Sequence, residues 1–323
     1  MRRTTTLRLA LIGTAAAAAL VTSGASPAVT AAPASGATTT SAGAVACQPG
    51  PAGLDLARVR DGAAAQEPKL FPDSEAKAYG TLPDAPYLGN GSTTIQTVFH
   101  SISNHELTET EKSRMTTLIE DQMTVLNDSF SGKTSSNAAD TPFRFNLTDI
   151  NWVVNDEWYT VTPGKTERDM KRALHEGDST TLNVYSADIG GGLLGWAYFP
   201  KDYNNGRDYI DGVVILDESM PGGTAGKYAF GDTLTHEVGH WLMLHHTFNN
   251  GCSASGDFVT DTPKEAYPQF NCPVGANSCD APGIDPIHNF MDYTKDECMD
   301  SFTEGQAQRM SDGWVAFRAG GKG

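Results

Sequence analysis

From residue 93 to residue 217 the chain switches between two hydrophobic rhythms, one repeating every second residue and one every three to four. Residues 93–102 (TTIQTVFHSI) are rich in β-branched and aromatic side chains with partial alternation, which predicts a strand. Thr108, with Glu111 three positions on, forms a capping box that opens a helix running to about residue 129. Met115, Leu118, Ile119, Gln122, Leu126 and Phe130 recur at helical spacing, so one face of this helix packs on a sheet. Residues 143–154 (FRFNLTDINWVV) alternate and predict a second strand, residues 166–175 a short helix ending near Gly177, and residues 180–189 (TTLNVYSADI) a third strand. After Gly190, Gly191 and Gly192, residues 194–200 (LGWAYFP) predict a short edge strand that Pro200 ends. Residues 211–217 (DGVVILD) form the most apolar strand and therefore the central one.

A further helix follows, with Asp232 or Thr233 as its cap. Past Phe248 the composition changes to Gly, Pro, Asp, Asn and Cys, and regular structure resumes only at Thr303, which with Gln306 opens a last helix through Met310, Trp314 and Phe317. The pattern predicts an α/β fold of the α+β type. It has a twisted mixed sheet of about five strands, a backing helix, a second helix placed for chemistry, and an irregular half ending in a helix.

Composition narrows the setting. The chain has 323 residues, 39% of them hydrophobic, enough for one large domain with appendages, and its formal charge of -16 leaves nothing to neutralise a run of phosphates. Nucleic acid is therefore not an expected partner. Arg2, Arg3 and Arg8 precede a short apolar run and then small residues, which reads as a secretory signal over residues 1–32. The competing reading, a membrane anchor, asks for about 20 apolar residues, more than this run supplies. Residues 33–90 read as linker and propeptide, with no membrane partner after the signal is removed. Cys47 stands alone upstream, while Cys252, Cys272, Cys279 and Cys298 cluster. In an exported chain four clustered cysteines suggest two disulfides, with three pairings open, against a structural zinc held by the same thiols.

The chemistry concentrates in residues 235–248 (THEVGHWLMLHHTF). On a helix, His236 and His240 lie one turn apart on one face and can share one metal ion, with Glu237 beside it. Imidazole nitrogens suit zinc, and a catalytic zinc site takes three protein ligands. His246 is the expected third, with the adjacent His245 as the alternative. It lies too far along for a straight helix, so the chain must turn after Leu242.

The extended pattern H-E-x-x-H-x-x-x-x-x-H, followed by N-F-M-D-Y at 289–293, resembles the metzincin zinc peptidases. More narrowly, H-E-V-G-H-W-L-x-L-x-H-T-F, G-D-x-V-x-D-T-P at 256–263, D-P-I-H-N-F-M-D-Y at 285–293 and F-T-x-G-Q-x-x-R-M at 302–310 resemble the pappalysin family. The resemblance covers about residues 93–317. It implies a metzincin-like catalytic domain over residues 91–318, its upper part 91–243 and lower part 244–318, with 319–323 a tail. It further implies zinc on His236, His240 and His246, Glu237 as general base, Met291 as the apolar floor and Tyr293 as oxyanion donor.

Substrate would bind as an extended strand along Leu194, Gly195, Trp196 and Ala197. Asp296 would form the base of the S1′ pocket, selecting Arg or Lys on the C-terminal side of the cut. The resemblance also pairs Cys252 with Cys279 and Cys272 with Cys298, and makes Asp257, Thr260 and Asp261 a calcium loop. Cys47 could ligate the zinc as a latency device, or be a bystander. One position departs from the family: Met243 stands where a glycine usually lets the chain leave the helix. The expectation is a secreted, monomeric zinc endopeptidase acting on peptides or proteins, and the alternative an impaired binding module on the same fold.

Overall fold

The computed structural model describes residues 57–63, 80–200 and 208–321, all within the compact unit Ala46–Gly323. The signal and Cys47 readings lie outside the described residues. Among these residues no helix is long and apolar enough to cross a membrane.

Six strands form one sheet in the order β1-β5-β6-β4-β2-β3. They are β1 (Ala57–Val59), β2 (Thr93–Ser103), β3 (Phe143–Val154), β4 (Thr181–Ala187), β5 (Leu193–Trp196) and β6 (Val213–Leu216). The β2–β3, β2–β4 and β4–β6 pairs are parallel, whereas β5 runs antiparallel to β6 and β1 antiparallel to β5. The apolar 211–217 segment does lie inside the sheet, as β6. The sequence-predicted edge strand is shorter than expected, and its outer side is not open, because β1 covers it. That three-residue strand lies in the segment read as propeptide and escaped the periodicity, which needs a longer run to register.

Helix α1 (Glu109–Phe130) carries the expected capping box at Thr108 and Glu111. The short α2 (Asp156–Tyr159), capped by the Asn155 side chain, was not foreseen, and α3 spans Lys165–Leu174. Helix α4 covers Asp232–Trp241 and α5 covers Glu304–Gly313, the latter opened by the Thr303–Gln306 capping box.

Alternation along β6 shows how the sheet is buried on both faces. Val213 and Ile215 join a core with Leu118, Leu126 and Phe130 of α1 and Leu234, Val238 and Trp241 of α4. Val214 and Leu216 face a second core with Met170 of α3, Tyr185 and Trp196. A strand buried on both sides must be apolar throughout, which is why this segment stood out in the sequence. The Trp196 indole donates to Glu167 Oε1 at 2.7 Å, and Glu167 pairs with Lys171 at 3.1 Å, pinning β5 to α3. The sheet thus fixes β5 beside α4, and the functional residues gather along that seam.

Candidate metal centre and substrate cleft

Every residue of α4 is buried. Leu234, Val238 and Trp241 anchor one side in the core, which leaves His236, Glu237 and His240 to the other side. The helix begins differently from the sequence expectation. Gly231 is the cap, in a left-handed conformation (φ 99°) with no side-chain cap bond, and Asp232 is already helical. Thr233 is drawn away because its hydroxyl accepts from the Arg58 guanidinium at 3.0 Å.

At the other end the chain closes a Schellman turn, with Leu244 N–H donating to Gly239 O at 2.9 Å and Met243 N–H to His240 O at 2.9 Å. Met243 sits at the left-handed position with φ 85°, so the family turn is kept without its glycine. This reversal returns His246 to the two helical histidines. Nε2 of His240 lies 3.1 Å from Nε2 of both His236 and His246. A tetrahedral zinc with bonds of about 2.0–2.1 Å separates its ligand nitrogens by roughly 3.3 Å, so the spacing fits.

The other ring nitrogens orient these ligands. His236 Nδ1 donates to Phe290 O at 2.6 Å and His240 Nδ1 to Leu244 O at 2.8 Å, which leaves each Nε2 lone pair facing the centre. Burial pushes the His240 imidazole down to about 4 and lowers His236 and His246 as well. Three neutral imidazoles aimed at one point are a donor set for a soft or borderline divalent cation.

Glu237 is fully buried beside this centre, and burial raises its carboxyl well above the usual range. Its approach depends on Gly195 of β5, where an added Cβ would lie 2.9 Å from Glu237 Oε1 and 2.8 Å from Val214 O. Beneath the histidines, Met291 Sδ would lie 2.4 Å from a Cβ at Gly239, so the glycine of the motif admits the methionine floor. The Tyr293 ring, 1% exposed, stands 4.8 Å from His246 and 5.9 Å from His236 by centroids.

Next to Glu237 lies a cluster of buried polar groups that sequence reasoning anticipated only in part. Asp296, 3% exposed, accepts at Oδ1 from Arg58 Nη2 at 2.8 Å and at Oδ2 from Phe230 N–H at 2.9 Å. The same guanidinium donates to Thr294 O at 2.8 Å. Asp232 is close enough that Asp296 adds to the burial that raises its carboxyl. Arg58, Asp232, Thr233 and Thr294 were not assigned to the site from sequence, where Asp232 and Thr233 figured only as candidate helix caps. The last three border the H-E-x-x-H and M-D-Y motifs, and Arg58 lies in the alternating run Ala57-Arg58-Val59-Arg60, which are the signals that could have found them.

Of the expected substrate strand, Leu194 and Trp196 pack into the second core and Ala197 into the first. Of this strand, Gly195 and Trp196 pair with Arg58 and Ala57 of β1.

Cys252 is bonded to Cys279 and Cys272 to Cys298, the pairing that the resemblance implies. Among the described residues only two groups bring three metal-ligating atoms within 4.8 Å of one another. One is His236, His240 and His246. The other, Cys272, His288 and Cys298, is committed to a disulfide, which removes the structural-zinc alternative. The predicted calcium loop does not converge in the same way. Asp257 is buried, but Thr260 and Asp261 are exposed, and Asp261 instead accepts from Thr303 Oγ1 and Gly305 N–H at 2.8 Å each. Its carboxylate is taken up at the start of α5, where a helix N-terminus favours it.

Residues 167–315 match the M43 peptidase family described as pregnancy-associated plasma protein-A. Extracellular metalloprotease 1 of Coccidioides posadasii is 41% identical over 228 residues, 70% of this chain and 78% of that protein. The extracellular metalloprotease of Verticillium alfalfae is 40% identical over 231 residues, covering 69% and 78%. Among solved structures, Tannerella forsythia mature mirolysin in complex with a cleaved peptide superposes with a TM-score of 0.58 at 28% identity, covering 68% of this chain and 90% of that one. Promirolysin from the same organism gives 0.60 at 25% identity, covering 76% and 86%.

Proposed function

The chain belongs to the pappalysin family of zinc metalloendopeptidases, and on that premise we propose that it is a secreted endopeptidase cutting extended peptides on the N-terminal side of Arg or Lys. The observation that carries this reading is the placement of Glu237 between two features. On one side three histidine Nε2 atoms converge, and on the other Asp296 holds a guanidinium at 2.8 Å.

His236, His240 and His246 would hold the zinc, which when bound supplies a Lewis acid that brings the pKa of water towards about 7. Glu237 accepts the proton released as water attacks the scissile carbonyl, and its raised affinity for a proton suits it to hand that proton to the leaving amine. Tyr293, set against the His246 ring, donates to the oxyanion that develops on the carbonyl. A substrate taking the place of β1 would be oriented by backbone pairing along β5, with Gly195 keeping Glu237 against it. Asp296, with Thr233 Oγ1 and the Thr294 carbonyl, completes a pocket for a basic side chain. A carboxylate buried there discriminates against neutral residues because it would be left unpaired.

The rival, an impaired binding module, drew its support from Met243. The turn there keeps its hydrogen bonds and delivers His246, so that support falls away.

The reading is tested with a peptide carrying a single Arg and its Gln counterpart. The metal-loaded protein should cut the first and leave the second nearly intact, and chelation should abolish cutting. Glu237→Gln should lower kcat by about 10² to 10⁴-fold. Cleavage that persists in the chelated protein, or that proceeds undiminished in the Glu237→Gln variant, would falsify the mechanism.

A further inference from the structure

We propose that Gly80, Leu82 and Arg309 are positioning residues for the metal centre: they hold Met243 in the left-handed conformation that swings the chain back to His246. The inference rests on the zinc site proposed above and adds the device by which this chain closes that site without the usual glycine.

Two of the three histidines depend on the turn at Met243. With φ 85°, Met243 sends the chain on to His246, and the carbonyl of the next residue, Leu244, accepts from His240 Nδ1 at 2.8 Å. Glycine adopts this conformation without steric cost, whereas a residue with a side chain has to be held in it. A lapse at Met243 would therefore misplace His246 and also the partner that orients His240. Met243 is fully buried, so its carbonyl needs a hydrogen-bond donor from the protein itself.

Arg309 of α5 is that donor. Its Nε donates to Met243 O at 2.8 Å and its Nη1 to Gly80 O at 2.7 Å, so one planar guanidinium ties the turn to the segment that precedes β2. The guanidinium is buried and lies 5.6 Å from the centre of the Phe258 ring. Gly80 comes this close because it has no side chain; a Cβ there would collide with the same Phe258 ring. The Met243 side chain is gripped as well. It packs with Phe199, and Leu82 and Phe317 close on the pair. Gly313 of α5 makes room for it, since a Cβ at that position would lie 2.7 Å from Met243 Cβ. Further along, Leu88 N–H donates to Ser311 Oγ at 3.0 Å, which keeps the segment against α5.

A segment that served only as a cover would have no reason to converge on one residue. This one holds the Met243 carbonyl through Gly80 and Arg309, and the Met243 side chain through Leu82. Gly80 and Leu82, read from sequence as propeptide, thus become working parts of the catalytic domain.

The experiment is zinc competition against a chromophoric chelator on the full-length chain, in two backgrounds. In the parent, Leu82→Ala, Gly80→Ala and Arg309→Gln should each weaken zinc binding by about 10- to 100-fold, with circular dichroism unchanged. Saturating zinc should return the KM for an Arg peptide to the parent value. Met243→Gly should bind zinc as the parent does. In that background Leu82→Ala and Gly80→Ala should cost less than about threefold, because a glycine needs no holding. Equal losses in the two backgrounds, or undiminished zinc affinity in the parent variants, overturn this inference and leave the function standing. A parent chain that takes up no zinc overturns the function, and this inference falls with it.

Discussion

Met243 illustrates how opposing residue-level terms decide a position. A side chain at φ 85° costs roughly 1–2 kcal/mol relative to glycine. Met243 is also fully buried, packed with Phe199, and burying such a side chain contributes about 1.5–3 kcal/mol. Burial outweighs the strain, so Met243→Gly is expected to lower Tm by a few degrees while keeping the turn; a higher Tm in thermal unfolding would show that strain dominates. Asp217 gives a residue-scale pH dependence. Burial pushes its carboxyl up from 3.8 to about 6. Between those values the folded chain keeps a proton that the unfolded chain has released. Its contribution to stability is thus complete below about pH 4 and lost as pH rises through about 6. Asp217→Asn should raise Tm at pH 8, with the difference closing by pH 4; an equal gain at both values would contradict this. At this scale the sequence was most legible where residues recur in a motif, as for the three histidines, Glu237, Met291 and Tyr293. The departure at Met243 was also visible, but whether the turn survived depended on packing that a string of letters does not contain.

Elements were legible in proportion to their length. The long helix α1, its capping box and the twelve residues of β3 follow directly from periodicity and caps. β1 has three residues and no period to detect, and its identity comes from pairing with β5. The start of α4 misled because Asp232 and Thr233 are good capping residues by type, yet Asp232 is buried near Asp296 and the Thr233 hydroxyl accepts from Arg58. β5 bears most directly on catalysis. Alanine at Gly195 would push on Glu237 from one side, with the Val214 carbonyl fixed on the other, so the carboxylate rather than the strand must yield. Gly195→Ala is expected to cut kcat/KM on an Arg peptide by about 10²-fold, with circular dichroism unchanged. Full activity would mean that Glu237 has room to spare.

For the molecule as a whole, the site is assembled from segments far apart in the chain. Arg58 meets Asp296 across 238 positions, and His236 is oriented by Phe290 across 54. No local pattern carries such contacts. Family resemblance supplied Asp296, whereas Arg58 emerged only once the sheet had folded and β1 lay beside β5. The two disulfides, closing separations of 27 and 26 residues, hold the irregular half that presents Met291, Tyr293 and Asp296 to α4. Together these parts set three buried imidazoles on one side of Glu237 and the buried Asp296 carboxylate, to which the proposed function gives selectivity, on the other. The most direct measurement is a cleavage profile of a peptide library by the metal-loaded protein beside its Asp296→Ala variant, read by mass spectrometry. Cuts before Arg and Lys in the parent, with that preference lost in the variant, are the expected result. Cuts without a basic preference, or a preference that survives the loss of Asp296, would contradict it.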